Sequence, residues 1–151
     1  VAERTYHLNQ QFMNRLHVTM MDFPGTRERV VFTEFQYYNH MLNQAACVLD
    51  TFPYGGCLTT HDAVSNSVPL VTLPLEHVRG RYSLSMYSQM GHTDLVAANE
   101  SHYVDIAVRL LTDVAFNEAQ RVKIKEGYTT HLHRNPEVLD EWMSMLHKLT
   151  R

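Results

Sequence analysis

Residues suited to chemistry are concentrated in one stretch of the chain, VLDTFPYGGCLTTHDAVSNSVPLVTLP. An apolar run ends there at Asp50, and the pair Gly55 and Gly56 follows. Thr59 and Thr60 then stand where a helix is predicted to begin. Ligands of open α/β sheets bind at the carboxyl ends of strands, and glycine lets the backbone approach a ligand closely. The free N–H groups and dipole of a helix start, with two hydroxyls, favour a phosphate. The stretch therefore indicates a phosphate site. The alternative is a glycine turn and a threonine cap that lead into the helix and bind no ligand.

The elements that must position this stretch are predicted from the apolar pattern. Four brief apolar runs, each too short for a helix, predict strands. They are residues 29–33, 47–49, 70–73 and 95–97. Segments of helical character lie between them, at residues 38–46, 59–66 and 78–90. This alternation predicts an α/β fold, a Rossmann-like parallel sheet with helices on both faces.

Helices are also predicted at both ends of the chain. Residues 2–21 have apolar side chains at a spacing of four, from Leu8 to Met20, which indicates one amphipathic helix. After residue 99 the spacing is helical throughout, and Asn135 followed by a proline is typical of a helix start. The apolar face of the last helix is expected to pack on the sheet, although a partner-binding face has the same spacing. That face carries Trp142, Met143, Met145 and Leu146.

Length and composition indicate one domain with its own core. The chain has 151 residues, of which 44% are hydrophobic and 19% are charged. We expect a single domain over residues 1–151, with an α/β part at 1–99 and a helical cap at 100–151. Because the first predicted strand follows a helix instead of opening the sheet, we expect the chain to be a fragment of a larger polypeptide.

Charge and cysteine usage exclude several partners and compartments. Thirteen Lys and Arg against sixteen Asp and Glu give a net charge of -3, which argues against nucleic acid or an anionic membrane as partner. No apolar stretch is long enough to span a bilayer. Cys47 and Cys57 have no partners at metal-ligand spacing and form no disulfide framework. The cytoplasm or another reducing compartment is therefore expected.

A series of short motifs runs from about Arg29 to Asp113. In chain order they are DTFPYGG, TTHDA, VPLVTLP, Glu76, RGR at 79–81, Tyr87, MG at 90–91 and YVDIAVRLLTD. In order and spacing these motifs resemble the C-terminal catalytic half of the O-linked N-acetylglucosamine transferase family. More narrowly, they resemble its bacterial-type members, which often carry tetratricopeptide repeats.

The resemblance implies a glycosyltransferase with two Rossmann-like domains facing a cleft, the GT-B architecture, of which this chain is the C-terminal, donor-binding half. The implied donor is a UDP-sugar, used without a metal or other cofactor. A Ser or Thr hydroxyl of a protein acceptor attacks the anomeric carbon with inversion, so the leaving diphosphate must be neutralised. The acceptor groove, an upstream basic residue and any general base are expected in an N-terminal domain outside these residues. This chain alone is therefore not expected to catalyse transfer.

The family's binding residues carry over to individual positions. The resemblance implies that Gly55 and Gly56 form the loop below the phosphates. Thr59 and Thr60 match the hydroxyls at the diphosphate, and Asp62 matches the carboxylate that binds the ribose.

Other positions depart from the family pattern or have a simpler explanation. Cys57 and Leu58 stand where many members have His, Gly or Thr, which leaves one diphosphate contact open. Tyr38 falls where some members carry a histidine near the uracil, and a tyrosine could stack on the base. Glu76 and Arg81 match family positions, but their spacing is equally typical of an ion pair on a helix surface.

Three histidines are candidate site residues. His61 lies within the motif and could contact phosphate or the acceptor, or be an exposed helix residue. His131 and His133 could suggest a metal site, but residues two apart on a helix point in different directions, so surface histidines are predicted.

The competing function is a catalytically silent relative that serves as a structural or scaffolding subunit of a larger assembly. The predicted sheet, which lacks an opening strand, and the substitutions at Cys57 and Leu58 favour that alternative. A flavodoxin-like receiver or dinucleotide-binding module is the weakest candidate, because no G-x-G-x-x-G motif follows a strand and no acidic cluster precedes one.

Overall fold

The structure, a computed structural model, describes residues 2–32, 34–133 and 135–150 of the chain. Contacts group the chain into two compact units, Val1–Tyr38 and Asn39–Arg151. Thr33, in the strand predicted at 29–33, lies outside the described residues. So does Arg134, which follows His133.

The first unit contains one long helix. α1 spans Ala2–Met21, as the spacing of four predicts. Short 3-10 turns follow at Arg27–Arg29 and Phe35–Tyr37. On α1, Leu16 and Met20 are half-buried and border an apolar cavity of about 230 Å³ that residues 30 and 32 also line.

The predicted strand at 29–33 is wrong. Arg29 ends a 3-10 turn, and residues 30–32 have no regular structure. Val31 and Phe32 are 76% and 53% exposed, and no described strand pairs with this segment. β-Branched and aromatic residues favour a strand only where a neighbouring strand and a packed face exist. Local composition therefore gave the wrong prediction here.

The second unit alternates short strands with helices, as the α/β pattern predicts. Its helices are α2 (Tyr38–Gln44, starting at the last residue of the first unit), α3 (Leu58–Ser65), α4 (Tyr82–Gln89), α5 (Glu100–Thr112), α6 (Val114–Gly127) and α7 (Pro136–Leu149). A 3-10 turn at Val78–Gly80 precedes α4, and a π-helical turn at Tyr128–Leu132 follows α6. The predicted helix 78–90 is therefore divided at Arg81. Within the described ranges, no helix has the length and apolar character needed to cross a membrane.

The sheet of the second unit is parallel and small. β1 (Val48–Leu49) pairs in parallel with β2 (Leu70–Val71). A parallel bridge from Thr72 to Val96 adds a third segment, where residues 95–97 predict a strand. Helices α3 and α5 both contact β2. The unit is thus helix-rich around a small parallel sheet, which is consistent with part of a Rossmann-like fold.

The core lies between this sheet and the helices that contact it. Burial of its apolar side chains at about 25 cal/mol per Å² supplies the main stabilisation. Among its fully buried side chains are Val64, Val68, Leu70, Val71, Tyr87, Leu95, Leu110 and Ile124. The Tyr87 hydroxyl donates to the Leu70 carbonyl at 2.8 Å and accepts from the Leu70 N–H at 3.1 Å, which joins α4 to β2.

The apolar face of α7 does not pack on the sheet, contrary to the prediction. α7 begins as predicted, because the Asn135 side chain accepts from the Glu137 N–H and a proline takes the first helical position. Its large apolar side chains are nevertheless between 44% and 56% exposed at Trp142, Met143, Met145 and Leu146. Periodicity identifies an apolar face but carries no information on what covers it.

His92 is a buried titratable group of the second unit. It is 6% exposed, its ring contacts Tyr87 edge-on with 5.4 Å between centroids, and Nε2 has no partner among the described residues. Nδ1 lies 3.8 Å from a carboxylate oxygen of Asp94. Burial lowers the pKa of His92, the Asp94 charge opposes this, and Lys123 lowers the pKa further. His92 is therefore neutral in the folded protein at neutral pH.

The free energy of unfolding should fall as the pH drops below about 6.5, the pKa of an unperturbed histidine, because the unfolded chain then binds a proton that the folded chain does not. We expect the thermal midpoint of the wild type to fall more between about pH 7.5 and about pH 5 than that of His92→Leu. Circular dichroism at both pH values measures this difference. Equal losses in the two proteins would contradict the role of His92.

Candidate functional site

The carboxylate of Asp50 is the centre of the predicted site. Asp50 follows β1 directly and is buried. The Gly56 N–H donates to Oδ1 at 2.7 Å, and the hydroxyls of Thr72 and Ser83 donate to Oδ2 at 2.9 and 2.6 Å. A buried carboxylate is tolerated when its lone pairs are satisfied in this way. These bonds join the end of β1 to the end of β2, the start of α4 and the glycine loop.

The loop that follows Asp50 is bonded to itself and to the segment before α4. The Thr51 hydroxyl donates to the Tyr54 carbonyl, which closes the first half of the loop. The Gly55 N–H donates to the Arg79 carbonyl at 3.0 Å. One hydrogen bond therefore holds the first half of the loop and another holds the second half.

Tyr103 of α5 also supports this loop. Its hydroxyl donates to the Asp50 carbonyl at 2.9 Å, and its ring contacts Phe52 edge-on with 5.6 Å between centroids. Burial, and after it the charges of Asp50 and Cys47, raises the pKa of Tyr103 to about 12. The hydroxyl is thus a permanent donor at neutral pH.

Both glycines of the loop lie close to neighbouring polar side chains, and the space is smallest at Gly56. A Cβ on Gly55 would lie 3.1 Å from the carboxylate of Asp50. A Cβ on Gly56 would lie 2.5 Å from the Thr59 hydroxyl and 2.8 Å from the Thr60 hydroxyl. The glycine loop therefore brings its backbone against the buried carboxylate and leaves the two threonine hydroxyls directly over Gly56.

The start of α3 has no capping side chain. The helix begins at Leu58, one residue before the predicted start, and Cys57 in the capping position makes no side-chain hydrogen bond. The first turn contains no acidic residue. The threonine cap considered from the sequence is therefore not formed. The first backbone N–H groups of α3 and the positive end of its dipole remain available to an anion.

Three polar side chains of α3 were predicted to bind the donor, and they differ in accessibility. Thr60 is buried, and its hydroxyl lies 3.1 Å from the Ser83 hydroxyl. Thr59 is exposed, and Asp62 is half-buried with a carboxylate that has no partner in the described part of the chain. Residues three apart lie on one face of a helix. Thr59 and Asp62 thus present a hydroxyl and a carboxylate side by side.

Tyr38 belongs to the first unit, unlike the other predicted site residues. It is the last residue of that unit, starts α2 and is half-buried. Its stacking on a base stays a prediction.

The ion pair considered between Glu76 and Arg81 is not formed. Both residues are exposed and lie in the segment between β2 and α4, not on a helix. Arg81 Nη1 donates to the Leu75 carbonyl at 3.1 Å, and the ion pairs within the described residues involve other side chains. Glu76 and Arg81 instead line an open cavity of about 610 Å³ together with Pro53 and Pro74.

The predicted exposure of His131 and His133 is confirmed. His61 is also exposed, and its ring contacts Tyr128 edge-on with 5.7 Å between centroids. His133 packs against the same tyrosine ring. Across the described ranges, no three His, Cys, Asp or Glu side chains are grouped to hold a metal ion.

Sequence reasoning missed Thr72, Ser83 and Tyr103, which form the support of the site. They lie 22, 33 and 53 residues after Asp50 and reach it only because separate elements pack together. Thr72 falls in the VPLVTLP motif and Tyr103 opens the YVDIAVRLLTD motif, but no local pattern links either residue to Asp50.

The sequence matches known glycosyltransferases over most of its length. The family model described as glycosyl transferase family 41 matches residues 13–143. The probable UDP-N-acetylglucosamine--peptide N-acetylglucosaminyltransferase SPINDLY of Petunia hybrida is 36% identical over 78 residues, which are 52% of this chain and 8% of that protein. The protein of the same name from Arabidopsis thaliana is 29% identical over 123 residues, 79% of this chain and 13% of that protein.

A solved structure matches the fold as well. A mutant of the Thermobaculum terrenum O-GlcNAc transferase aligns with a TM-score of 0.64 and 26% sequence identity. The alignment covers 75% of this chain and 23% of that chain. The chain thus spans 8% to 13% of the length of the two plant relatives and less than a quarter of the solved chain.

Replacing Asp50 with alanine should lower the free energy of unfolding by about 3 kcal/mol, because two buried hydroxyls and one part-buried N–H lose their acceptor. Asp62→Ala is the matched control, and its cost should stay below about 1 kcal/mol because that carboxylate has no partner to lose. Urea unfolding of both variants measures the difference. A similar cost for the two substitutions would show that the Asp50 network does not hold the site together.

Proposed function

The chain belongs to glycosyl transferase family 41, and we propose that it is the donor-binding half of an inverting O-linked glycosyltransferase that uses a UDP-sugar. The observation that carries this proposal is the uncapped start of α3 beside the glycine loop. A diphosphate there would accept hydrogen bonds from backbone N–H groups and gain from the helix dipole.

The polar side chains of α3 support the same placement. Thr59 is exposed beside Gly56, so its hydroxyl can donate to a phosphate oxygen. Asp62 lies one turn further along the same face, where its carboxylate can accept from the two hydroxyls of a ribose. Thr60 then acts through its backbone N–H, while its bond to Ser83 orients the first turn.

In this scheme the chain assists transfer by stabilising the leaving group. A Ser or Thr hydroxyl of the protein acceptor attacks the anomeric carbon and gives its proton to a general base. The bond from that carbon to the diphosphate oxygen breaks, and UDP carries away the negative charge. Groups already fixed at the position where charge develops lower the barrier most effectively. The N–H groups at the start of α3 are fixed in this way by the Asp50 network.

The remaining parts of the enzyme are assigned elsewhere. We assign the acceptor groove and the general base to an N-terminal Rossmann-like domain of a GT-B enzyme, within a polypeptide of the length of the relatives. The scheme uses no metal, because dipoles, hydroxyls and cations neutralise the diphosphate. The free thiols of Cys47 and Cys57 fit a reducing compartment.

UDP should bind this chain without added metal, and Asp62→Ala and Thr59→Ala should each weaken binding by about 1 to 3 kcal/mol through lost hydrogen bonds to a charged ligand. Calorimetric titration measures both losses. GDP serves as the comparison ligand, and Asp140→Ala, which changes an exposed carboxylate on α7, is the matched control.

Unchanged UDP affinity in both α3 variants would remove the site assignment. Absence of UDP binding, both in this chain and in the full polypeptide that carries it, would instead favour the silent scaffolding relative. Leu58 would then explain the loss of UDP binding, because its apolar side chain is exposed where a polar contact to the diphosphate is expected.

A further inference from the structure

A further cavity lies at the other end of α4 from the Asp50 network. Ser83, in the first turn of α4, bonds to Asp50, whereas Met90 follows the last turn and borders the cavity. Seven residues of helix separate the two positions, which is about 10 Å. The cavity has a volume of about 420 Å³, within the usual range for sites that bind small organic ligands. It is therefore separate from the position proposed for the diphosphate.

The ends of α4 and α6 form the wall of this cavity. Gly127, at the end of α6, packs so closely on α4 that a Cβ there would lie 2.8 Å from the Met90 Cβ. Gly91 has a φ of +67°, which favours glycine, and a Cβ on it would meet nothing within 4 Å. The π-helical turn after α6 adds Thr130 and His131 to the wall. Close packing of the backbone therefore shapes the cavity.

Asp94 binds or faces the nearby hydrogen-bond donors. The Lys123 ammonium donates to Asp94 Oδ2 at 2.6 Å, and Gln120 Nε2 lies 3.5 Å from the same oxygen. His92 Nδ1 lies 3.8 Å from it. The hydrogen bond from Lys123 is the largest reason why the pKa of Asp94 is lowered from its ordinary value. Asp94 is therefore ionised at neutral pH, and Lys123 balances its charge.

The acceptor atoms of the same side chains are left without donors. Because Nδ1 of the neutral His92 ring faces a carboxylate, the ring proton is favoured there and Nε2 is an acceptor. The ring is buried in the wall of the cavity, and Nε2 has no partner among the described residues. Gln120 Oε1 is buried without a partner as well. Since buried acceptors are normally satisfied, these two atoms indicate a donor that the described chain does not supply.

Glu126 adds an unbalanced charge to the same wall. It is exposed on the last turn of α6, borders the cavity and has no partner in the described part of the chain. Because Lys123 balances Asp94 and His92 is neutral, Glu126 leaves one negative charge in excess. An anion would be repelled by this charge, and a neutral ligand would leave it unmatched. Over the described ranges, no three His, Cys, Asp or Glu side chains could hold a metal ion.

We propose that this cavity binds a small organic cation through a primary ammonium group, with the Glu126 carboxylate as its charged acceptor and Asp94 and His92 as further acceptors. An ammonium group has three N–H donors and no acceptor, so it matches a wall with unpaired acceptors. Its hydrogen bond to Glu126 joins two charged groups and is stronger than one between neutral groups. The inference goes beyond the proposed function, because none of these residues belongs to the proposed donor site.

The test is saturation-transfer NMR, which detects weak binding to a large protein, on the full polypeptide that carries this chain. The probe is 1-butylammonium. Glu126→Gln should weaken its binding about tenfold because the charged acceptor is lost, and His92→Leu should weaken it about threefold. Glu118→Gln, which neutralises another exposed carboxylate of α6, is the matched control and should change the affinity by less than about twofold. 1-Butanol, which has the same carbon chain without the charge, should bind at least about tenfold more weakly.

A titration in the presence of saturating UDP separates this proposal from the proposed function. Unchanged binding of 1-butylammonium would support the cavity, whereas displacement by UDP would place the cation at the donor site and overturn the proposal. Equal effects of Glu126→Gln and Glu118→Gln would indicate a general effect of charge and would overturn it too. So would equal affinity for 1-butanol, or the absence of saturable binding. If the polypeptide binds no UDP, the proposed function fails and the variants alone decide on the cavity.

Discussion

The buried carboxylate of Asp50 imposes the constraint on which the rest of the site depends. A charge placed at the end of a strand inside the fold must have its oxygens satisfied by nearby donors. Thr72, Ser83 and the Gly56 N–H meet that requirement from three different elements. The small parallel sheet, the start of α4 and the glycine loop therefore form together, and the loop geometry follows from the packing of the second unit.

Residues around this carboxylate divide into buried ones that hydrogen-bond to one another and accessible ones whose polar groups have no partner in the described part of the chain. Thr60 and Ser83 are buried and bonded to each other, so they maintain the first turn of α3. Thr59 is exposed, and the Asp62 carboxylate has no partner within the described residues. A pre-formed support with unsatisfied groups directed outwards is the arrangement that binds a ligand at low cost in ordering.

The sequence predicted features that depend on local chemistry. The start of α3 was predicted to within one residue and the cap of α7 at Asn135 was predicted correctly, because caps and glycine turns act over a few residues. Features that depend on a partner were not predictable. The run at 29–33 does not form a strand, because no described strand lies beside it. The apolar face of α7 is exposed instead of packing on the sheet as expected. Ser83 reaches Asp50 across 33 residues, a contact that no local pattern encodes.

We propose that the Asp50 network presents the start of α3 to a diphosphate. The most direct measurement is an amide NMR titration of the chain with UDP, because it identifies the backbone N–H groups that meet the ligand. If α3 holds the diphosphate, the amide resonances of Leu58, Thr59 and Thr60 shift most and in parallel with saturation, because these N–H groups have no partner within the described residues. Saturable shifts that leave these three amides unchanged would contradict it.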